Sequence, residues 1–483
     1  MNDTIPNWLM QRAALTPDRT GLETEHQSFT FRELHSEALK RAGALRKLGI
    51  KKGDRIAILL KNSAEMAHQI QAVFYCGATA VLLNTRLTAE EWNYQLKDSK
   101  AALFICGEEF DKKIPDANIV TPSQMREMAA PLKDPVEEFV LSDTAVLMYT
   151  SGTTGKPKGV MQTFGNHYWS AVGSVLNLGL GPEDKWLAAV PLFHISGLSI
   201  LIRGIIYGMP VQLHGPFNPE AVNHAILHEK VTIVSVVSTM LAALVENGKG
   251  RPYPGSFRCM LLGGGPAPKA LLEQCRDQQI PVFQTYGMTE TSSQFATLSP
   301  EYAISKLGSA GKPLFPCRVR IMNENGEEAP VQTPGEIAVK GPNVMKGYWN
   351  REDATAAALR NGWLYTGDIG RVDEEGFLYV LDRRSDLIIS GGENVYPAEI
   401  EAVLTAHPSI ADAGVAAKED KKWGQVPHAF IVASDPMTES DVIRYCAERL
   451  AKYKVPGKVT FMEKLPRNAS SKLQRNLLKE LDN

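Results

Sequence analysis

Residues 150–160, "TSGTTGKPKGV", set three glycines, four hydroxyl side chains and two lysines directly after the apolar run "DTAVLMY". Glycines let backbone N–H groups approach an anion, hydroxyls add hydrogen bonds and lysines add charge, so the chemistry on offer is phosphate binding. The spacing departs from the nucleotide loop G-x-x-x-x-G-K-[ST]: only two residues separate Gly152 from Gly155, and Pro157 follows Lys156 where a hydroxyl belongs. Pro157 also blocks smooth entry into a helix, so a flap over phosphates is expected rather than a cradle on a helix N-terminus.

A second stretch, "PLFHISGLSILIRGIIYGM", places His194 at a glycine-containing turn and Arg203 inside an otherwise apolar helical pattern. A guanidinium there is costly unless it reaches solvent at the helix edge or meets an anion, and arginine suits bidentate carboxylate recognition. His224 and His228 have the i, i+4 spacing of a zinc pair, but no Glu follows the first and no third ligand is evident, so a helix surface is expected. Between residues 449 and 475 eight basic residues face one acid, Glu463, which reads as a solvated face or as attraction for a phosphate.

The elements that must position these residues follow from the patterning. Up to about Arg320, short apolar runs alternate with helical periodicities, the signature of α/β layers with parallel sheets. "DTAVLMY", "VTIVSVV" and "CMLLGGG" are expected strands; "NHYWSAVGSVLNL" is an expected helix with Tyr168, Trp169, Val172, Val175 and Leu176 on its apolar face. Beyond Leu307, turn signals such as "NENG" and "DEEG" predict a β-rich subdomain. After Leu381 the texture returns to mixed helices and strands, with Pro397 opening one helix and Thr438 and Asp441 capping another. The expectation is an α/β N-terminal domain over residues 1–381 and a small, mobile α+β domain over 382–483.

Composition narrows the function classes. A net charge of −2 leaves no electrostatic footprint for nucleic acid or an anionic membrane, the N-terminus is not a secretory signal, and no apolar run is long enough to span a bilayer. Six scattered cysteines argue against a disulfide framework. A cytoplasmic protein acting on small molecules is expected.

Five segments, in order, resemble the adenylate-forming superfamily of acyl-CoA synthetases, peptide-synthetase adenylation domains and luciferases: residues 150–160, "YGMTE" at Tyr286, "YTGD" at Tyr365, "LDRRSDLIISGGENVYPAEIE" at Leu381 and "PRNASSKLQR" at Pro466. The resemblance implies ATP, Mg²⁺ and coenzyme A as ligands and assigns roles. Thr150, Ser151, Gly152, Thr153, Thr154 and Lys158 would close over the β- and γ-phosphates. Glu290 would ligate Mg²⁺, and Thr289 would meet the α-phosphate. Asp368 would accept the ribose hydroxyls, with Arg383 reaching ribose or phosphate. Gly263, Gly264 and Gly265 would lie against adenine, on which Tyr286, next to Gly287, would stack; a plain strand-to-helix turn explains the three glycines equally well. Lys472 would be the catalytic cation and Asp382 the hinge, while Ser390, Gly391 and Gly392 would line the thiol tunnel. Ser385 and Ser471 depart from the commoner lysine and glycine of the family pattern.

Within the acyl-CoA synthetase branch, the segments around His194 and Arg203 resemble ligases of an aromatic dicarboxylate: one carboxylate is activated, and the other is bound by Arg203 with His194 beside the acyl pocket. Another aryl- or acyl-CoA ligase, and a nucleotide-binding relative without catalysis, remain the alternatives. The latter should lack Glu290 or Lys472, and both are present. Self-association is left open.

Overall fold

The computed structural model describes residues 3–110, 118–150, 157–265, 267–383, 386–390, 393–420, 423–450, 452–467 and 473–481. Among them the strands form four sheets. One orders Gly347–Tyr348, Lys158–Thr163, Thr144–Thr150, Thr79–Leu82, Arg55–Leu59, Leu103–Cys106 and Ile119–Val120; its last five members are parallel. Both faces are covered, as parallel sheets require. Ile56 and Ile58 join one buried cluster with the Ala64–Tyr75 helix, whereas the alternating Ala57 and Leu59 join another with Trp92 of the Ala89–Ser99 helix.

The second sheet begins with the N-terminal hairpin Ser28–Thr30 and Thr20–Glu23, which lies beside Val211–Leu213, Leu22 pairing with Val211. It continues through Trp186–Ala188, Ile233–Val236, Cys259–Leu262 and Val282–Met288 in parallel. There it turns antiparallel through Ser293–Leu298, Ser309–Pro313, Leu378–Arg383, Trp363–Val372, Gly335–Lys340 and Arg318–Met322. The expected β-rich subdomain is therefore no separate layer: Ala296 and Thr297 pair with Pro313 and Lys312, carrying the parallel sheet straight into it. Gly311 makes that junction possible, because with φ at +85° a Cβ would stand 2.0 Å from the Thr297 backbone.

One helix turns a different face inward. In Phe164–Leu178 the buried residues include His167, Ser170, Ala171, Gly173 and Ser174, while Leu176 is 62% exposed. The small residues win because this helix is squeezed against backbone: a Cβ on Gly173 would lie 2.7 Å from the Phe315 carbonyl. The apolar stripe that the periodicity selected is left half in solvent.

From Ile388 onward a five-stranded sheet carries its own cores, one of Ile388, Ile400, Leu404, Val415, Ile431 and Val442 among others and a second around Phe430 and Leu478. The chain is thus a large N-terminal α/β unit followed by a small mixed one. Thr438 and Asp441 form the capping box that their spacing implies, ahead of the Glu439–Ala447 helix. No described helix is long and apolar enough to cross a membrane.

Candidate active site

Thr144–Thr150 and Lys158–Thr163 are antiparallel neighbours, Thr150 opposite Lys158. The hydroxyl-rich segment therefore joins strand to strand, which is the structural reason that its spacing fits no strand-to-helix phosphate loop. Ser151, Gly152, Thr153 and Thr154 lie outside the described residues. At the hairpin's base Val160 pairs with Tyr348, and the Lys158 ammonium stands 5.3 Å from the centre of the Tyr348 ring. The Tyr348 hydroxyl donates to Glu290 Oε1 at 3.0 Å. Burial, and then Glu290, push the Tyr348 phenol far above its ordinary range, so it remains a donor.

Glu290 sits in the one-turn helix Thr289–Thr291 and is 7% exposed. The turn is pinned from three sides: Gln162 Nε2 donates to the Thr289 carbonyl, Asn343 Nδ2 to that of Thr291, and the Met345 amide to that of Glu290. A rigidly held carboxylate suits Mg²⁺ shared with phosphates, since Mg²⁺ takes one or two protein carboxylates and completes its octahedron with phosphate oxygens and water. Among the described residues no three His, Cys, Asp or Glu side chains group to hold a metal. His224 instead pairs with Glu229 at 3.0 Å.

Tyr286 and Asp368 meet directly, the phenol donating to Asp368 Oδ2 at 2.5 Å, while the Tyr286 ring packs edge-on against Phe295. Tyr286 lies on the last parallel strand; Gly263 follows the neighbouring strand Cys259–Leu262, and Gly264 and Gly265 are exposed beyond it. This is the carboxyl-end crevice where open α/β sheets bind ligands. Gly264 has φ +84°, and a Cβ on Gly287 would lie 2.3 Å from the Ser293 carbonyl, where the strand pairing shifts register. Both glycines are dictated by backbone geometry as much as by any ligand. Arg383 is paired with Asp368 across the sheet, although the side chains of Arg383 and Asp382 lie outside the described part.

Arg203 does not reach solvent. It lies on the Ile195–Tyr207 helix at 2% exposure, with its guanidinium 5.5 Å from the centre of the Trp186 ring and one bond to Ser170 Oγ at 3.3 Å. Its Nε has no hydrogen-bond partner, and among the described residues it has no acid partner. Burial lowers its pKa. The neighbouring His167 is fully buried, and burial followed by Arg203 pushes it down to about 3, so the imidazole is neutral and leaves the charge uncompensated. His194 caps the same helix, half-buried against Phe193. Nine residues are two and a half turns, so His194 and Arg203 do not share a helix face. Ser199 and Ser196 do share that face, one and two turns before Arg203, and Ser199 meets Ser293 at 3.4 Å.

Two family models match the chain: AMP-binding enzyme over residues 9–349, and AMP-binding enzyme C-terminal domain over residues 399–472. The chain belongs to the AMP-binding enzyme family. This AMP-binding enzyme is 54% identical over 481 residues to the 2-succinylbenzoate–CoA ligase of Bacillus cereus (strain Q1), the match covering 99% of each chain. Solved structures of o-succinylbenzoate coenzyme A synthetase from Bacillus subtilis are 53% identical to it over 99% of its length. The complex with ATP and magnesium ion has a TM-score of 0.96 and is covered to 100%; the complex with the acyl-adenylate intermediate OSB-AMP has a TM-score of 0.95 and is covered to 98%.

In the small C-terminal unit of this AMP-binding enzyme, Lys472, Gly391 and Gly392 lie outside the described residues. Ser390 is 4% exposed on a strand paired with Gly424. The basic run is not a bare cationic face either. Arg449 pairs with the adjacent Glu448, while Lys454 pairs with Glu399, Arg467 with Asp412, and Arg475 with both Asp386 and Glu401, acids distant in sequence. Tyr348, Ser199 and Ser293 were not singled out by the sequence. A serine at each of two turns preceding Arg203 was the available signal for Ser199; Tyr348 had none, since only folding brings it to Glu290.

Proposed function

We propose that this enzyme ligates 2-succinylbenzoate to coenzyme A through an acyl-adenylate, releasing pyrophosphate and then AMP, in menaquinone biosynthesis. Buried Arg203 carries the choice of acid: its uncompensated charge suits a substrate bearing a second carboxylate, in a chain alike over its full length to ligases named for that acid.

In the first step a substrate carboxylate oxygen attacks the α-phosphorus of ATP and pyrophosphate leaves. Thr150, Ser151, Gly152, Thr153, Thr154 and Lys158 hold the β- and γ-phosphates, Thr289 meets the α-phosphate, and Lys472 bridges carboxylate and α-phosphate as charge builds. Glu290, oriented by Tyr348, holds Mg²⁺, which supplies charge neutralisation at the phosphates. Asp368 takes the ribose, keeping one oxygen bonded to Tyr286, and the Gly263–Gly265 turn borders adenine. In the second step the coenzyme A thiolate attacks the acyl carbon and AMP leaves. For this the C-terminal unit, from Asp382 onward, rotates and brings residues 390–392 to the thiol. The likeness to the ATP and adenylate complexes extends over the whole chain, which supports an adenylation arrangement here.

The purified enzyme should release pyrophosphate with ATP and 2-succinylbenzoate and then yield that acid's coenzyme A thioester by mass. Activity with plain benzoate and none with 2-succinylbenzoate would assign it to another aryl-CoA ligase.

A further inference from the structure

We infer that Asp98 is a positioning residue that sets the spacing between the two legs of the phosphate-binding hairpin and of the strand beside it; the inference rests on the phosphate role proposed for residues 150–158. Asp98 ends no strand of the site. It lies near the close of the Ala89–Ser99 helix, with a side chain only 11% exposed.

Three segments converge on it. On the first leg, the Tyr149 hydroxyl donates to Asp98 Oδ2 at 2.8 Å, one residue before Thr150. The second leg is reached by a relay: Arg351 donates to Asp98 Oδ1 at 2.5 Å and to the Tyr94 hydroxyl at 3.2 Å, and that hydroxyl donates to the Pro157 carbonyl at 3.1 Å, one residue before Lys158. The third segment is the one bearing Tyr348. Trp349 Nε1 donates to the Asp98 carbonyl at 3.0 Å, and the Trp349 amide donates to the Gly159 carbonyl at 2.7 Å. One aspartate thus ties down the residues flanking the hydroxyl-rich loop and the neighbour of the tyrosine that holds Glu290.

The physical logic is preorganisation. A glycine- and threonine-rich loop has much conformational freedom to lose on closing over phosphates, and fixing the distance between its ends removes part of that loss before the ligand arrives. Only a ligand carrying β- and γ-phosphates draws on this, since those are the groups proposed to meet the loop; AMP has neither.

Calorimetric titration of the full chain with Mg·ATP and, separately, with AMP tests the inference. Asp98→Ala should weaken ATP binding by roughly tenfold or more and leave AMP binding within about twofold, a split that a general loss of structure would not produce. Tyr94→Phe, which removes the hydroxyl that relays to Pro157 and keeps Asp98, should show the same split at a smaller size, and it decides the matter if Asp98→Ala does not fold. Equal loss for both nucleotides, or no loss for either, overturns the inference. A Thr153→Ala, Thr154→Ala variant separates the two claims. If it binds ATP as well as the parent, the phosphate reading has failed; if it alone weakens ATP while the Asp98 and Tyr94 variants do not, only the positioning role has.

Discussion

At the scale of single residues, Arg203 is a buried charge without an acid partner among the described residues. A buried guanidinium without a carboxylate carries a desolvation penalty of several kcal/mol, which the bond to Ser170 and the face of Trp186 offset only in part, and a bound carboxylate would offset more. Arg203→Ala should raise KM for 2-succinylbenzoate by about a hundredfold, roughly 3 kcal/mol, and that for ATP far less. Steady-state kinetics with each substrate varied in turn would show it; an unchanged KM for the acid would remove the salt bridge from the mechanism. The sequence marked Arg203 as anomalous because a charge in an apolar helix breaks the pattern, but it left a solvent-facing edge open, since side-chain burial depends on what packs from elsewhere. The same limit applies to Glu290. "YGMTE" marks it, whereas Tyr348, which aims it, belongs to a strand 58 residues on.

Among secondary-structure elements, those with strong local signals were legible. Buried parallel strands read as continuous apolar runs, and helix caps as Thr with Asp three residues later. The Phe164–Leu178 helix forms where expected but buries a different face for a physical reason: close approach of backbone selects small residues, and hydrophobic periodicity is blind to that demand. Gly311 shows the same demand where the parallel and antiparallel halves of the long sheet join. Gly311→Ala combines an unfavourable φ with backbone overlap and should cost about 3 kcal/mol or more. Differential scanning calorimetry should register a lower melting temperature; no change would mean that the two halves are not held in this register.

At the level of the whole molecule, the proposed chemistry is divided between a large unit holding Glu290, Asp368 and Arg203 and a small one to which Lys472 belongs. Two variants separate the half-reactions. Lys472→Ala should slow adenylate formation by on the order of 10²–10³ while thiolysis of supplied adenylate stays largely intact. Asp382→Pro, restricting the hinge, should favour one half-reaction at the expense of the other. Equal loss of both with Lys472→Ala, or full retention of both with Asp382→Pro, would dismiss the corresponding role. The division into a large and a small unit was legible from the change in texture near Leu381; the ion pairs of Lys454, Arg467 and Arg475 were not, because they join residues 55 to 89 positions apart.

The placement of the N-terminal hairpin beside Val211–Leu213 has a consequence in time. Leu22 leaves the ribosome 189 residues before Val211, its neighbour in the finished sheet. At about 5–20 residues per second, that is roughly 10–40 s during which the hairpin lacks the strand it lies beside in the finished sheet. Within that interval the strands of the other sheet between residues 55 and 163 are completed before Val211 is made, so birth order and spatial order run opposite ways: the edge of the second sheet is made first and closed late.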